Sequence, residues 1–276
     1  MDSFKHRCIA LRKRGFSLNQ IVEKTKRSKT SVYFHIRHTP LNNKRRQEIR
    51  LARIERCINY SKGVKGKSKF GRHPIPFEIW NPSLVSLVGH ILFDGTIKYG
   101  GCVYTNRSVS LLDHVTSCMQ TVYPFQPKRY ESIPGVYKIA FHNVELEALM
   151  RDKEIELTEN ISHMGKELQR AFLRAFFDDE GSVYFTGKRR AVRGFQYNSK
   201  ILNLVQLLLR GFGIESVVDT KYNEMTITRQ ENIRRFEKEI NFTKGVCVNG
   251  SRSNSVWKQS LEKRELLRRA LASYEK

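Results

Sequence analysis

Two stretches decide how this chain folds: Leu87-Val-Gly-His-Ile-Leu-Phe-Asp-Gly95 and Leu173-Arg-Ala-Phe-Phe-Asp-Asp-Glu-Gly181. Each is an apolar run with a small third residue, Gly89 or Ala175, and each closes on an acid followed by glycine. The acids, Asp94 and Glu180, stand 86 residues apart. Both runs read as helices. Their small residues allow a close helix crossing, and the closing glycines are expected to end them in the left-handed conformation. A carboxylate at a helix C-terminus opposes the helix dipole, at a cost of about 0.3–1 kcal/mol each. If the helices pack in parallel the acids meet, and their repulsion adds to that cost. A divalent cation such as Mg2+ (or Mn2+) removes the objection, because it takes hard oxygen ligands. Two acids sharing metals near a phosphodiester are the parts of a metal-assisted hydrolase. The bland alternative is two C-terminal turns with solvated acids.

The pattern downstream of each motif is repeated as well. After Asp94-Gly95 come strand-like Thr96–Gly100 and Cys102–Asn106, then a helix from Ser108 to about Val122. Lys128–Ile133 and Val136–Phe141 form a second strand pair, and a helix starts at Val144. After Glu180-Gly181 come strands Ser182–Thr186 and Arg193–Asn198 and a helix Lys200–Phe212. Next are strands Glu215–Tyr222 and Met225–Thr228, then a helix from Glu231 to about Ile240. The order is αββαββα, written twice.

The two motifs, their spacing and this repeated order resemble a single-chain LAGLIDADG homing endonuclease over residues 80–245. The resemblance implies an α+β fold: a pseudo-symmetric duplicated αββαββα core whose two antiparallel four-stranded sheets form a saddle over the DNA major groove. It implies Asp94 and Glu180 as the catalytic, metal-holding acids and Gly89 and Ala175 as the helix interface. The saddle face would draw on Arg107, Lys128, Arg129, Tyr130 and Lys138 in the first half. In the second half it would draw on Lys188, Arg189, Arg190, Arg193, Gln196 and Tyr197, then Lys221, Thr226, Thr228 and Arg229. Arg193, with Gln196 or Tyr197, is the candidate base reader. The family also places a basic residue near the scissile phosphate. Lys244 matches best in the second half; Lys98 and Lys166 are the candidates in the first. Two positions depart from the pattern. Phe93 and Asp179 stand seventh in their motifs, where the family usually has a small residue. Phe93 is expected to widen the helix crossing and displace Asp94; Asp179 adds a third acid, as ligand or as unwanted charge.

Upstream, residues 1–40 read as three short helices. Gly15 can stop the first. Ser17-Leu-Asn-Gln20 is a capping box for the second, which carries Ile21 and Val22 inward and ends near Thr25. Ser28 can cap a third helix, Lys29 to about His38, with Val32 and Ile36 inward. The pattern is similar to the resolvase-like helix-turn-helix. That resemblance implies Lys29, Thr30, Ser31 and Tyr33 at DNA base edges and Arg37 on phosphate. A small bundle with a solvated basic face is the alternative. Residues 41–79 read as a connector: a polar helix Asn42 to about Tyr60, then Ser61–Arg72, where lysines alternate with Gly and Ser in a flexible composition. The expected division is therefore 1–40, 41–79, a first repeat 80–165, a second repeat 166–245, and a polar loop with a charged C-terminal helix over 246–276.

Composition agrees with a polyanion as partner. Lys+Arg number 50 against 27 Asp+Glu, a net charge of +23. Residues 1–80 hold 21 of the basic and 5 of the acidic side chains, a net +16, against 29 and 22, a net +7, in the remainder. Such an excess destabilises a compact fold unless a polyanion compensates it. Five scattered cysteines without a CxxC pair exclude a disulfide framework or thiolate zinc site, and no histidines show zinc-enzyme spacing. No apolar stretch is long enough to span a membrane, and the N-terminus lacks a signal-peptide core. A cytoplasmic monomer with no membrane partner is expected, free-standing or intron-encoded, since no splice-junction signature is visible.

Three functions suit these features. The first is a site-specific endonuclease of double-stranded DNA, with the helix-turn-helix extending the site through a tether. The second is a non-catalytic regulator: one bacterial family joins the same two modules in the opposite order and without the acids, whereas both acids are present here. The third is an RNA-splicing maturase with intron RNA as partner.

Overall fold

The computed structural model describes residues 3–41, 45, 47–49, 51–52, 73–98, 100–248 and 259–274. The chain divides into two units, Met1–Gly71 and Arg72–Lys276. The expected connector helix and linker lie largely outside the described residues, as does most of the polar loop after residue 248.

In the first unit α1 (Phe4–Lys13), α2 (Leu18–Thr25) and α3 (Lys29–Ile36) surround Cys8, Ile21, Val32 and Ile36. Ser17 and Gln20 form the reciprocal capping box of α2, which satisfies two otherwise unpaired backbone N–H groups. Lys26 takes the left-handed conformation that ends α2, and the Ser28 side chain accepts from Ser31 N to start α3. Two turns are thereby fixed by local chemistry. Cys8 was not legible as core: a small hydrophobe following Arg7, it is fully buried.

The second unit contains the two expected αββαββα repeats. The first is α4 (Pro82–Asp94), β1 (Gly95–Ile97), β2 (Cys102–Asn106), α5 (Val109–Gln120), β3 (Lys128–Ile133), β4 (Val136–Phe141) and α6 (Val144–Asn160). The second is α7 (Lys166–Glu180), β5 (Gly181–Thr186), β6 (Arg189–Phe195), α8 (Ser199–Gly211), β7 (Val217–Asp219), β8 (Glu224–Ile227) and α9 (Gln230–Glu239). Side chains of Asn81, Ser108, Asn143 and Asn198 cap α4, α5, α6 and α8 by accepting backbone N–H bonds. The sheets are antiparallel and four-stranded, with orders β1-β2-β4-β3 and β5-β6-β8-β7. Each lays one face on the helices; Cys102, Tyr104, Ile139 and Phe141, and Val192, Met225 and Ile227, enter a common core. A further helix, α10 (Lys263–Ala272), packs on β5 and α9 through Leu266, Leu267, Ala270 and Leu271. Among the described residues, no helix is long and apolar enough to cross a membrane.

α4 and α7 pack along each other through the two motifs. A Cβ added to Gly89 would lie 3.0 Å from the Ala175 Cβ, so the small pair sits at the crossing. Phe93 does not widen it. Its ring is accommodated edge-on against Phe172 and Phe176, at 5.4 and 5.2 Å between centroids. Gly95 and Gly181 are not left-handed: both are extended, with φ of −93°. They are required for close approach instead, because a Cβ would fall 2.2 Å from Ile91 O and 2.4 Å from Phe177 O. The helix therefore passes straight into a strand, and the acid stands at the junction. β6 begins at Arg189 rather than Arg193; Gly187 at φ +57° and Lys188 make the turn, so Arg189 and Arg190 enter the strand.

Candidate active site

Asp94 and Glu180 are the last residues of α4 and α7. They line one cleft of about 370 Å³ with Asn106, Arg107, Ser108, Asp178, Asp179, Cys247 and Lys263. Each acid is met by an amide from the same place in its own half, at or just past the end of the second strand. Asn106 Nδ2 donates to Asp94 Oδ2 at 2.8 Å, and Gln196 Nε2 donates to Glu180 Oε1 at 3.2 Å. The amide oxygens accept backbone N–H groups of Ser108 and Asn198, which holds both side chains in place.

The electrostatics are strained. Burial, then the charge of Asp179, pushes the Asp94 carboxyl up to about 7. Burial, then the charges of Asp94 and Asp179, pushes Glu180 up to about 8. Burial also raises Asp178, whose Oδ1 accepts from Thr243 N at 2.8 Å. Its buried Oδ2 has no hydrogen-bond partner among the described residues. Only 2% of Asp178 is exposed.

The third acid of the motif adds an unfavourable charge to both Asp94 and Glu180 and is itself engaged inside the helix interface. The Asp179 side chain is wholly buried, accepting from Tyr104 Oη at 2.6 Å and lying 2.8 Å from His90 Nδ1. Asn106 Nδ2 reaches both Tyr104 Oη and Asp179 Oδ1, at 3.1 and 3.3 Å. Asp94 is thus tied through Asn106 to a polar cluster inside the helix interface. His90 was visible as a polar residue in an apolar run, but only the fold shows that its partner is Asp179. Lys263 had no signal at all, since it opens a helix that reads as uniformly charged. It is 6% exposed, and its Nζ donates to Phe177 O and Asp178 O at 3.1 and 2.6 Å.

The other expected residues separate by sheet face. Thr105, Lys138 and Tyr130 are in register across β2, β4 and β3 and point away from the core. Lys128 shares that face, and Ser182, Arg193 and Thr226 form the matching row in the second sheet. Arg193 stacks on Tyr184 at 4.1 Å, and its Nε lies 3.1 Å from Glu224 Oε1. Arg129 is on the opposite face, paired with Asp113 of α5 at 2.8 Å. Arg190 also turns inward, donating to Ser273 Oγ and Ser273 O. Gln196 holds Glu180 instead of facing outward. Lys188 and Arg189 are exposed at the β5–β6 turn, Tyr197 is 79% exposed, and Arg229 pairs with Glu215 at 3.1 Å. Arg107 is exposed at the cleft rim. Lys244 and Lys98 are exposed and outside the cleft lining. Lys166 begins α7, about 21 Å along the helix from Glu180, and donates to Gly211 O. In the first unit, Lys29, Thr30, Ser31 and Tyr33 on α3 and Arg37 at its C-cap are all exposed.

Does this cleft suit a divalent cation? Among the described residues no group of three or more His, Cys, Asp or Glu side chains is arranged as a metal cage. Two carboxylates with raised affinity for protons and an unpartnered third carboxylate oxygen are nonetheless the donor chemistry of Mg2+, which keeps waters and takes one or two carboxylates with substrate phosphate. Asp94 and Glu180 fit that role.

Comparison with known proteins gives three results. A model of the LAGLIDADG-like domain matches residues 167–241, which is the second repeat. No curated protein matches the chain. Similar solved structures include I-DmoI in complex with DNA and Mn, at 20% identity over 58% of this chain and 97% of that one, with a TM-score of 0.44. They also include the N-terminal LAGLIDADG domain of DUF199/WhiA, at 18% identity over 60% and 84%, with a TM-score of 0.46. Full-length DUF199/WhiA from Thermatoga maritima matches at 16% identity over 73% and 63%, with a TM-score of 0.47.

Proposed function

We propose that this chain is a site-specific, divalent-metal-dependent endonuclease of double-stranded DNA. One observation carries the reading: two carboxylates from opposite halves, each at the end of a motif helix, share one cleft, where burial raises both and the charge of Asp94 raises Glu180 further. A purely structural sequence has no reason to place an acid against the helix dipole twice. Asp94 and Glu180 would hold the cation, which when bound polarises the scissile phosphate and activates water. Asn106 and Gln196 orient the two acids. Arg107 at the rim is suited to the phosphate backbone. The outward rows with Lys128, Tyr130, Lys138 and Arg193 supply a groove-facing surface, with Lys188 and Arg189 at its edge. Lys244 and Lys98 are the candidates for a basic contact to the scissile phosphate. The exposed residues of α3 would add affinity through a second DNA contact.

A second reading, a metal-independent DNA-binding regulator, is favoured by Lys263, a basic side chain of the cleft lining on which the four acids act. A single experiment separates the two. A randomised duplex library is incubated with wild type or Glu180→Gln, in Mg2+ or EDTA, and all new ends are sequenced. Ends that recur at one site, need Mg2+ and vanish in the variant are expected. Specific binding with no ends in any condition supports the regulator.

A further inference from the structure

We propose that Lys263 is a positioning residue of the acid cleft: its buried ammonium clamps the last turn of α7, which carries Glu180, and serves as the standing positive charge of the second half. The inference rests on reading the cleft as a metal site.

Lys263 comes from outside the duplicated unit, yet its placement is fixed on every side. Lys263 N donates to Val246 O at 2.8 Å, Val248 N donates to Leu261 O at 2.8 Å, and Gly245 N donates to Glu262 Oε1 at 2.9 Å. Arg264 Nε donates to Phe242 O. The start of α10 is thus stitched to the segment beyond α9, and Leu266 and Leu267 are buried behind it. From there the side chain reaches the carbonyls of Phe177 and Asp178, at the negative end of α7. The same α7 turn is held from a second direction by Thr243 N on Asp178 Oδ1.

The arrangement exists in one half only. The residue that corresponds to Asp178, at the common offset of 86, is Leu92, which packs against the core. Burial lowers the pKa of the Lys263 ammonium, and the charges of Asp178, Asp179, Asp94 and Glu180 around α7 oppose that by favouring its charged form. Its charge therefore compensates them and also competes with any cation that enters. Removing the charge thus has two effects of opposite sign. It strengthens cation binding, because the acids lose their standing partner. It also slows cleavage, because Glu180 loses the clamp on its turn. Simple structural damage weakens both together.

The test titrates Mn2+ into DNA-free full-length wild type, Lys263→Met and Lys263→Arg, reading free Mn2+ by its paramagnetic resonance signal, with melting in EDTA alongside. Lys263→Met is expected to melt lower and to bind Mn2+ roughly tenfold tighter, the scale of one charge removed within a few ångströms. Lys263→Arg returns the affinity toward wild type. On the selected target, kcat falls in Lys263→Met while KM holds. If Lys263→Met does not fold, Lys263→Gln makes the same comparison and keeps a donor for the carbonyls. Unchanged or weaker Mn2+ binding in a folded, uncharged variant overturns the proposal. Cleavage in none of the proteins, with the Mn2+ difference intact, overturns the endonuclease reading and leaves Lys263 in its role. Mn2+ binding by none of them overturns both.

Discussion

His90 Nδ1 and Asp179 Oδ2 lie 2.8 Å apart where pseudo-symmetry puts the rings of Phe176 and Phe93, whose centroids are 5.2 Å apart. The same offset of 86 residues relates His90 to Phe176, Phe93 to Asp179, and Asp94 to Glu180. The two halves thus share a backbone plan and fill equivalent places with opposite chemistry. Register continues the exchange. Gly95 pairs with Tyr104 and Gly181 with Gly194, so the Tyr104 hydroxyl that serves Asp179 corresponds to a residue with no side chain. A Cβ at Gly194 would fall 2.5 Å from the Phe176 ring. Asp94 is consequently backed by a polar network and Glu180 by aromatic packing.

The His90–Asp179 pair is expected to be strongly coupled. Replacing either partner leaves His90 Nδ1 or Asp179 Oδ2 without its partner in a buried interface, a loss of about 3–5 kcal/mol, although Asp179 Oδ1 keeps Tyr104 and Asn106. His90→Phe and Asp179→Leu together should cost less than the sum of the two by about 1–3 kcal/mol. Denaturant unfolding of the four proteins measures this; strict additivity would show that the two side chains do not depend on each other.

The crossing of α4 and α7 leaves no room at Gly89. Gly89→Val is expected to destabilise the fold by about 1–3 kcal/mol through overpacking against Ala175, lowering the denaturant midpoint with little change in slope. A neutral Gly89→Val would place the closest helix approach elsewhere.

Glu180 and Asp94 bind protons more tightly in the folded chain than in the unfolded one, since burial and the charges of neighbouring carboxylates hold them up to about 8 and about 7. A raised carboxyl means more bound protons in the native state. Stability therefore falls as pH rises from the unfolded value, about 4, through the folded one. In EDTA, wild type should lose melting temperature relative to Glu180→Gln between about pH 5 and pH 9, and excess Mg2+ should reduce the difference. Parallel pH profiles of the two proteins would contradict this.

The sheet faces divide the basic residues into two experimental classes. Lys138→Ala and Arg193→Ala are expected to weaken DNA binding, and for a phosphate contact to lower the salt slope by about one each. Arg129→Ala and Arg190→Ala, whose side chains are engaged by Asp113 and Ser273, should leave affinity almost unchanged and reduce stability instead. Binding isotherms across a salt series separate the classes, and equal losses for all four would erase the distinction.

Element order was legible in the sequence because each helix and strand carries its own period, and the acid-glycine motif marks where each repeat begins. Ser17, Gln20 and Ser28 were legible for the same local reason: a cap acts on residues two or three away. Gly95 and Gly181 were identified, but their reason was not. A left-handed terminus and a tight helix-to-strand junction both require glycine, and only the backbone distance from Ile91 or Phe177 distinguishes them. Lys263, Asn106 and the His90–Asp179–Tyr104 cluster were out of reach, because their partners are assembled by the crossing of α4 and α7 and by a segment more than 80 residues away. Arg129 and Arg190 read as surface charge in sequence, since alternation along a strand needs its register before it assigns a face.

The most direct test of the paired acids is cleavage of the selected target by Asp94→Asn and Glu180→Gln, each compared with wild type at equal DNA occupancy in Mg2+. Both variants are expected to retain specific binding and to lose double-strand cleavage. Double-strand cleavage at the wild-type rate by either variant would contradict a shared catalytic role for Asp94 and Glu180.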